Sequence, residues 1–307
     1  MSAGGASAAT RRTVAFLRRF IKPRILALTA PLRGLQRFVE TLSPERRAPF
    51  AAQIPGDWTP ASGDPAVATL FYLHGGAYLI GSPRLFRYAS RAFARAGFDV
   101  FAPAYRLAPE HVFPAALEDV LRAYRTLTEA RPGPFVIVGD SAGGGLAVSL
   151  LLRIRDESLR PPVAAALSSP WVDLAATGAS MRENEERDPL FTRKDILLGA
   201  RAVLGRQSAR NPLASPIYAE LSGLPPMLVH VGADEVLRDD STRLVARARQ
   251  AGVDAQLEIW PCTPHAWQLM SFLPEARQSR AKAIEFLKTR VAQATSNAKR
   301  DWDKKGR

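Results

Sequence analysis

Val138-Gly139-Asp140-Ser141-Ala142-Gly143-Gly144 decides how this chain reads. It follows Pro134-Phe135-Val136-Ile137-Val138, a short apolar run with the look of a buried strand. It precedes Leu146-Ala147-Val148-Ser149-Leu150-Leu151-Leu152, which reads as a buried helix. A serine in Gly-x-Ser-x-Gly at such a junction sits on a sharp turn with its Oγ lifted clear of the sheet. The start of the helix then offers an N–H to a developing oxyanion. A glycine-rich turn without chemistry has the same small residues, so the motif draws its meaning from the rest of the chain.

The other parts of an acyl-transfer apparatus follow in order. Ala68-Thr69-Leu70-Phe71-Tyr72-Leu73 reads as a strand running into His74-Gly75-Gly76-Ala77-Tyr78, a loop whose N–H groups can converge on negative charge. Pro226-Met227-Leu228-Val229-His230-Val231 is a strand ending in Gly232-Ala233-Asp234-Glu235. Ala255-Gln256-Leu257-Glu258-Ile259-Trp260 leads into Pro261-Cys262-Thr263-Pro264-His265-Ala266-Trp267. Serine, acid and histidine thus come in that order, each just past a strand end, as in α/β-hydrolases and unlike other serine-hydrolase folds.

These stretches, with Tyr105-Arg106-Leu107-Ala108-Pro109-Glu110-His111 and Val236-Leu237-Arg238-Asp239, resemble the bacterial hormone-sensitive-lipase-like (family IV) esterases over roughly residues 66–290. The resemblance implies an α/β fold of the α/β-hydrolase type, with a mostly parallel sheet flanked by helices under a helical cap. It implies Ser141 as nucleophile, His265 as general base and acid, and Asp234 as the residue orienting the imidazole. It also implies an oxyanion hole from the N–H groups of Gly76, Ala77 and Ala142, and short to medium acyl substrates. The family usually has a third glycine where this chain has Ala77. An alanine keeps the N–H, but at positive φ it costs about 1–2 kcal/mol and narrows the room beside the oxyanion.

Glu235, Asp239 and Asp240 compete with Asp234 for the acid; the latter two fall where a helix starts and carboxylates commonly cap N–H groups. Tyr78, Trp171, Phe191 and Trp267 are candidate pocket walls, or plain core. His74 is expected to fix its loop by a hydrogen bond, and His230 to pack in a strand. The four histidines lack metal-ligand spacing, so no metal or cofactor is expected. Lactonases and arylamidases use the same triad, and a non-catalytic binding member of the superfamily would usually lack His265. From the residues, those readings stay open beside the carboxylesterase.

The charge of +13 in 307 residues raises the question of nucleic acid, but its distribution answers it. Residues 1–40 carry +7 and residues 290–307 carry +4, leaving +2 for the core, and no nucleic-acid module accompanies the ends. The expected domains are cap helices over 1–45, a catalytic domain over 46–295 with a cap insertion at about 171–224, and a disordered basic tail over 296–307. From Thr13 to Val39 apolar residues, Leu26 among them, recur at helical spacing between arginines, with a break near Pro23 or Pro31. Cap helices are the main reading; weak membrane-surface contact through residues 11–39 can coexist with it. A small-molecule ester is the expected partner, and homodimerisation a further one. Arginines interrupt any signal-peptide core, nothing is long enough to span a bilayer, and the single Cys262 suits a reducing, cytoplasmic compartment.

Overall fold

The structure, a computed structural model, describes residues 5–25, 27–63 and 65–305. Leu26 and the last two residues of the basic tail lie outside it. Seven strands form one sheet: β1 (Gly56–Thr59), β2 (Ala68–Leu73), β3 (Phe98–Pro103), β4 (Phe135–Asp140), β5 (Ala164–Ser168), β6 (Met227–Gly232) and β7 (Ala255–Trp260). Their order is β1-β3-β2-β4-β5-β6-β7, parallel throughout except β1, which runs antiparallel to β3. Residues 46–62 thus contribute a single strand, β1, at the edge of the sheet.

β2, β4 and β6 are buried along their whole length, as strands covered on both faces must be. Alternate side chains enter two separate cores. Phe71, Leu73, Ile137, Leu167 and Val229 face one side; Leu70, Tyr72, Val136, Val138 and Ala166 face the other. The first core is covered by α4 (Ala115–Ala130), α5 (Ala142–Asp156) and α8 (Arg238–Gln250), the second by α3 (Arg87–Arg95) and α9 (Pro274–Lys305). α9 runs through the stretch expected as a disordered tail. Residues 291–305 contain neither glycine nor proline, so nothing local stops the helix.

The chain steps from β2 outward to β3, then returns to place β4 on the other side of β2. Such a reversal opens a crevice at the carboxyl ends of the two strands, the usual ligand site of an open α/β sheet. His74-Gly75-Gly76 and Ser141 lie there.

Two segments stand over the crevice. The first comprises α1 (Ala8–Phe16), irregular helical turns over 17–24, and α2 (Thr29–Leu42). The break falls at Pro23. Pro31 sits in the first turn of α2, where its missing N–H costs nothing. The second, between β5 and β6, contains α6 (Ser180–Glu183) and α7 (Arg193–Leu204); α7 opens on a reciprocal cap between Thr192 and Asp195.

Candidate active site

Ser141 directly follows β4 with φ 54° and ψ −123°, a conformation L residues avoid unless the surroundings impose it. The imposing contacts are backbone. Gly143 lets α5 pass the end of β2, where a Cβ would lie 2.1 Å from the Leu73 carbonyl oxygen. The Ser141 N–H donates to Ser168 O at 2.8 Å, and Ser141 O accepts from Gly145 and Trp171. The strain thus belongs to the packing of strand on helix, which the sequence encodes as glycines.

Ser141 Oγ lies 2.7 Å from Nε2 of His265, and Nδ1 of that ring lies 2.6 Å from Oε2 of Glu235. The carboxylate against the imidazole is therefore Glu235, where the sequence led to Asp234. The turn after β6 explains the exchange: Glu235 folds back so that its Oε1 accepts from Gly232 N (2.6 Å) and Ser169 Oγ (2.7 Å). Buried Val236 and Leu237 follow it inward, whereas Asp234 turns out to pair with Arg187 at 2.5 Å. The same apolar pair follows both acids in the sequence, so no local signal separates them. Asn184 Nδ2 ties the same turn to the β5–β6 segment through Ala233 O (3.0 Å) and Glu235 O (2.8 Å).

The other rivals have structural work. Asp240 is fully buried and accepts from the N–H groups of Val172 and Asp173, both at 2.9 Å. Asp239 accepts from Ser180 N. Burial works against the charge on His265, but the Glu235 carboxylate, with Asp188 and Asp140 farther off, outweighs it and holds the imidazole above its ordinary 6.5.

Gly76 and Ala77 line the same cavity as Ser141, and among the described residues neither N–H has an acceptor. Ala142, at the first position of α5, is wholly buried beneath the serine. Ala77 has φ 55°, so the alanine does occupy a left-handed position. The loop is fixed from behind. His74 lies between the rings of Tyr105 (4.4 Å) and Phe86 (5.2 Å), its Nδ1 is 2.8 Å from Gly75 O, and Tyr105 Oη donates to His74 O at 2.6 Å. Asp140 accepts from Gly75 N at 3.0 Å and from Tyr72 Oη at 2.6 Å. Burial raises the Asp140 carboxyl to about 6, and the Tyr72 hydroxyl works against that rise.

The cavity over Ser141 measures about 260 Å3 and is mostly apolar. Trp171 and Phe191 line it as expected, and the Phe191 ring stands edge-on to His265 at 5.1 Å. Tyr78 and Trp267 do not. Tyr78 turns into the core beside Trp171, and Trp267 is sealed against Trp260, Leu273 and Ala276. Both sit next to site motifs, which made them candidates, but the turns after Ala77 and Ala266 aim them inward. Among the walls that sequence alone missed, Ile25, Thr29 and Leu32 come from the amino-terminal segment, Ile196 and Gly199 from α7, and Leu79, Ile80 and Met270 from the loops below.

A strained serine, an imidazole bonded to it, a buried carboxylate behind the ring and free N–H groups beside it are the parts of a serine hydrolase. The chain belongs to the alpha/beta hydrolase fold family, which matches residues 70–269, and within it to the bacterial hormone-sensitive-lipase-like esterases. An acetyl-hydrolase of Streptomyces hygroscopicus is 44% identical over 225 residues, covering 72% of this chain and 75% of the relative. An esterase of Acinetobacter venetianus is 34% identical over 226 residues, with the same coverage of 72% and 75%. Among solved structures, an esterase of the bacterial hormone-sensitive lipase family superposes with a TM-score of 0.81 at 38% identity. It covers 94% of this chain and 100% of its own. EstE5 soaked with p-nitrophenyl butyrate gives 0.81 at 36% identity, with the same coverage. The chain is a carboxylic ester hydrolase.

Proposed function

We propose that the enzyme is a serine carboxylesterase for short- to medium-chain acyl esters. In this reading Ser141 is the nucleophile, His265 the general base and acid, and Glu235 the carboxylate that orients the ring. The observation that carries it is the unbroken line Ser141 Oγ–His265–Glu235, at 2.7 and 2.6 Å. Ser141 Oγ attacks the ester carbonyl as His265 Nε2 takes its proton. The oxyanion settles on the N–H groups of Gly76, Ala77 and Ala142, and the imidazolium is stabilised by Glu235. Collapse expels the alcohol, which receives the proton from His265. Water then enters by the same route and frees the acid. The amino-terminal segment and the β5–β6 segment act as the cap, since both supply walls of the cavity. The lone cysteine supports a cytoplasmic setting.

The acyl range is supported by a cavity of about 260 Å3 and by the p-nitrophenyl butyrate soaked into EstE5. Hydrolysis of p-nitrophenyl acetate, butyrate, octanoate and palmitate by wild type and Ser141→Ala tests the proposal. Turnover of the short esters, fading toward palmitate and falling on the order of a million-fold without the serine, is expected. Rates that rise with chain length would overturn the acyl range. Absence of wild-type turnover on every ester would overturn the esterase assignment in favour of lactones or arylamides.

A further inference from the structure

We propose that the outward face of the amino-terminal segment docks on the surface of an anionic lipid bilayer. α2 turns Leu32, Arg33, Gln36, Val39 and Glu40 toward the body of the protein and leaves Pro31, Leu35, Phe38 and Leu42 in solvent. Intervals of four, three and four place those last residues in one stripe along the helix. Phe38 is 60% exposed and Leu42 67%. Earlier in the same segment Phe16 and Phe20, whose rings meet at 5.2 Å, are also exposed. A surface helix ordinarily shows the reverse, with apolar residues inward and polar ones out. Of the ten large apolar side chains exposed among the described residues, five belong to the amino-terminal segment, so exposed apolar surface is concentrated there.

Charge selects the occupant. Arg12, Arg18, Arg19, Arg24 and Arg37 are exposed on the same segment, and no acidic residue precedes Glu40. A second copy of the chain brought face to face would set these arginines against their own kind. A neutral apolar partner would leave them without counter-charges. An anionic bilayer supplies both halves of the match, a hydrocarbon boundary for the phenylalanines and headgroup charge for the guanidiniums. No helix among the described residues is long and apolar enough to cross the membrane, so the contact is with the interface. Thr29 and Leu32 on the inner side of α2 wall the cavity, and one helix diameter, about 10 Å, would separate it from the lipid. The docking does not depend on which ester the site accepts.

Co-sedimentation of the full chain with phosphatidylcholine vesicles, with and without phosphatidylglycerol, tests the proposal. Partition at least about ten-fold stronger onto the anionic vesicles, weakening as salt rises, is expected. Phe38→Ser with Leu42→Ser, and separately Arg19→Glu with Arg37→Glu, should each reduce it about ten-fold or more. Circular dichroism and the thermal midpoint should stay unchanged, because all four side chains are in solvent. Should the serine pair disturb folding, the charge-reversal pair carries the test by itself. Equal partition on both vesicle types, or none, overturns the proposal. So does a wild-type dimer in analytical ultracentrifugation that Phe38→Ser with Leu42→Ser dissolves, which would assign the stripe to a second copy.

Discussion

The floor and the roof of the candidate site are built by opposite means. The floor consists of the turns after β2, β4, β6 and β7, and Gly75, Ser141, Glu235 and His265 are held there by buried backbone bonds and fully packed neighbours. In the roof, α2 buries no side chain completely. Polar staples hold it instead: Arg33 Nε donates to Leu79 O (2.9 Å), Gly81 N donates to Gln36 Oε1 (2.8 Å), and Arg33 pairs with Glu110 (2.7 Å). Farther back, Ser7 and Thr10 bond Glu275, and Lys22 donates to Asp188 O at 2.8 Å. Atoms that must meet within a few tenths of an ångström are placed by the sheet. The helix that walls the cavity from above is held by contacts that water and salt can contest.

The floor should give the largest responses. Glu235→Ala is expected to lower kcat about ten-thousand-fold, while Asp234→Ala changes it only a few-fold. Equal losses in the two variants would break the distinction between the neighbouring carboxylates. Because the Glu235 charge raises His265, Glu235→Gln should also move the acid limb of the kcat/KM profile to lower pH.

Stability against pH sharpens the same contrast. His74 and His230, both buried, are lowered from 6.5 to about 4 by desolvation. The unfolded chain therefore binds their protons first. Their contribution is complete above pH 6.5 and is lost as pH falls toward 4, by roughly 3 kcal/mol each. Asp140, raised to about 6 by burial, acts in the opposite sense: its contribution is complete below 3.8 and lost as pH rises through 6. Asp188 and Asp240, raised by burial, and His265, raised by Glu235, act in the same sense as Asp140, so the histidine contribution is read by difference. Urea unfolding between pH 7 and 4 should show His230→Gln losing roughly 3 kcal/mol less than wild type on acidification; an identical pH dependence would show that this imidazole makes no such contribution.

Ala77→Gly relieves a left-handed alanine and should stabilise the fold by about 1–2 kcal/mol, while improving turnover of esters with bulky acyl or tertiary-alcohol groups. Unchanged selectivity would show that the methyl does not crowd the oxyanion. The smallest effect belongs to the roof. Arg33→Ala should alter rates on soluble esters no more than a few-fold, since exposed ion pairs contribute little. A loss as large as that of Glu235→Ala would mean that α2 is part of the rigid floor after all.

The sequence by itself determined the sheet, the elbow and the histidine. Continuous apolar runs mark parallel strands, and glycines mark the close approach of α5 to β2 and Trp171. A serine or histidine just past a strand end has few places to go, because period and chain direction fix where the strand stops. Only the tertiary structure decided between Asp234 and Glu235. Adjacent carboxylates share every local property, and what separates them is a turn closed by Gly232 N and Ser169 Oγ, two groups from different strand ends. The same holds for Tyr78 and Trp267, drawn into the core by left-handed turns, and for the cavity walls lent by α2 and α7. The direction of a loop side chain depends on partners remote in sequence, so no local pattern records it.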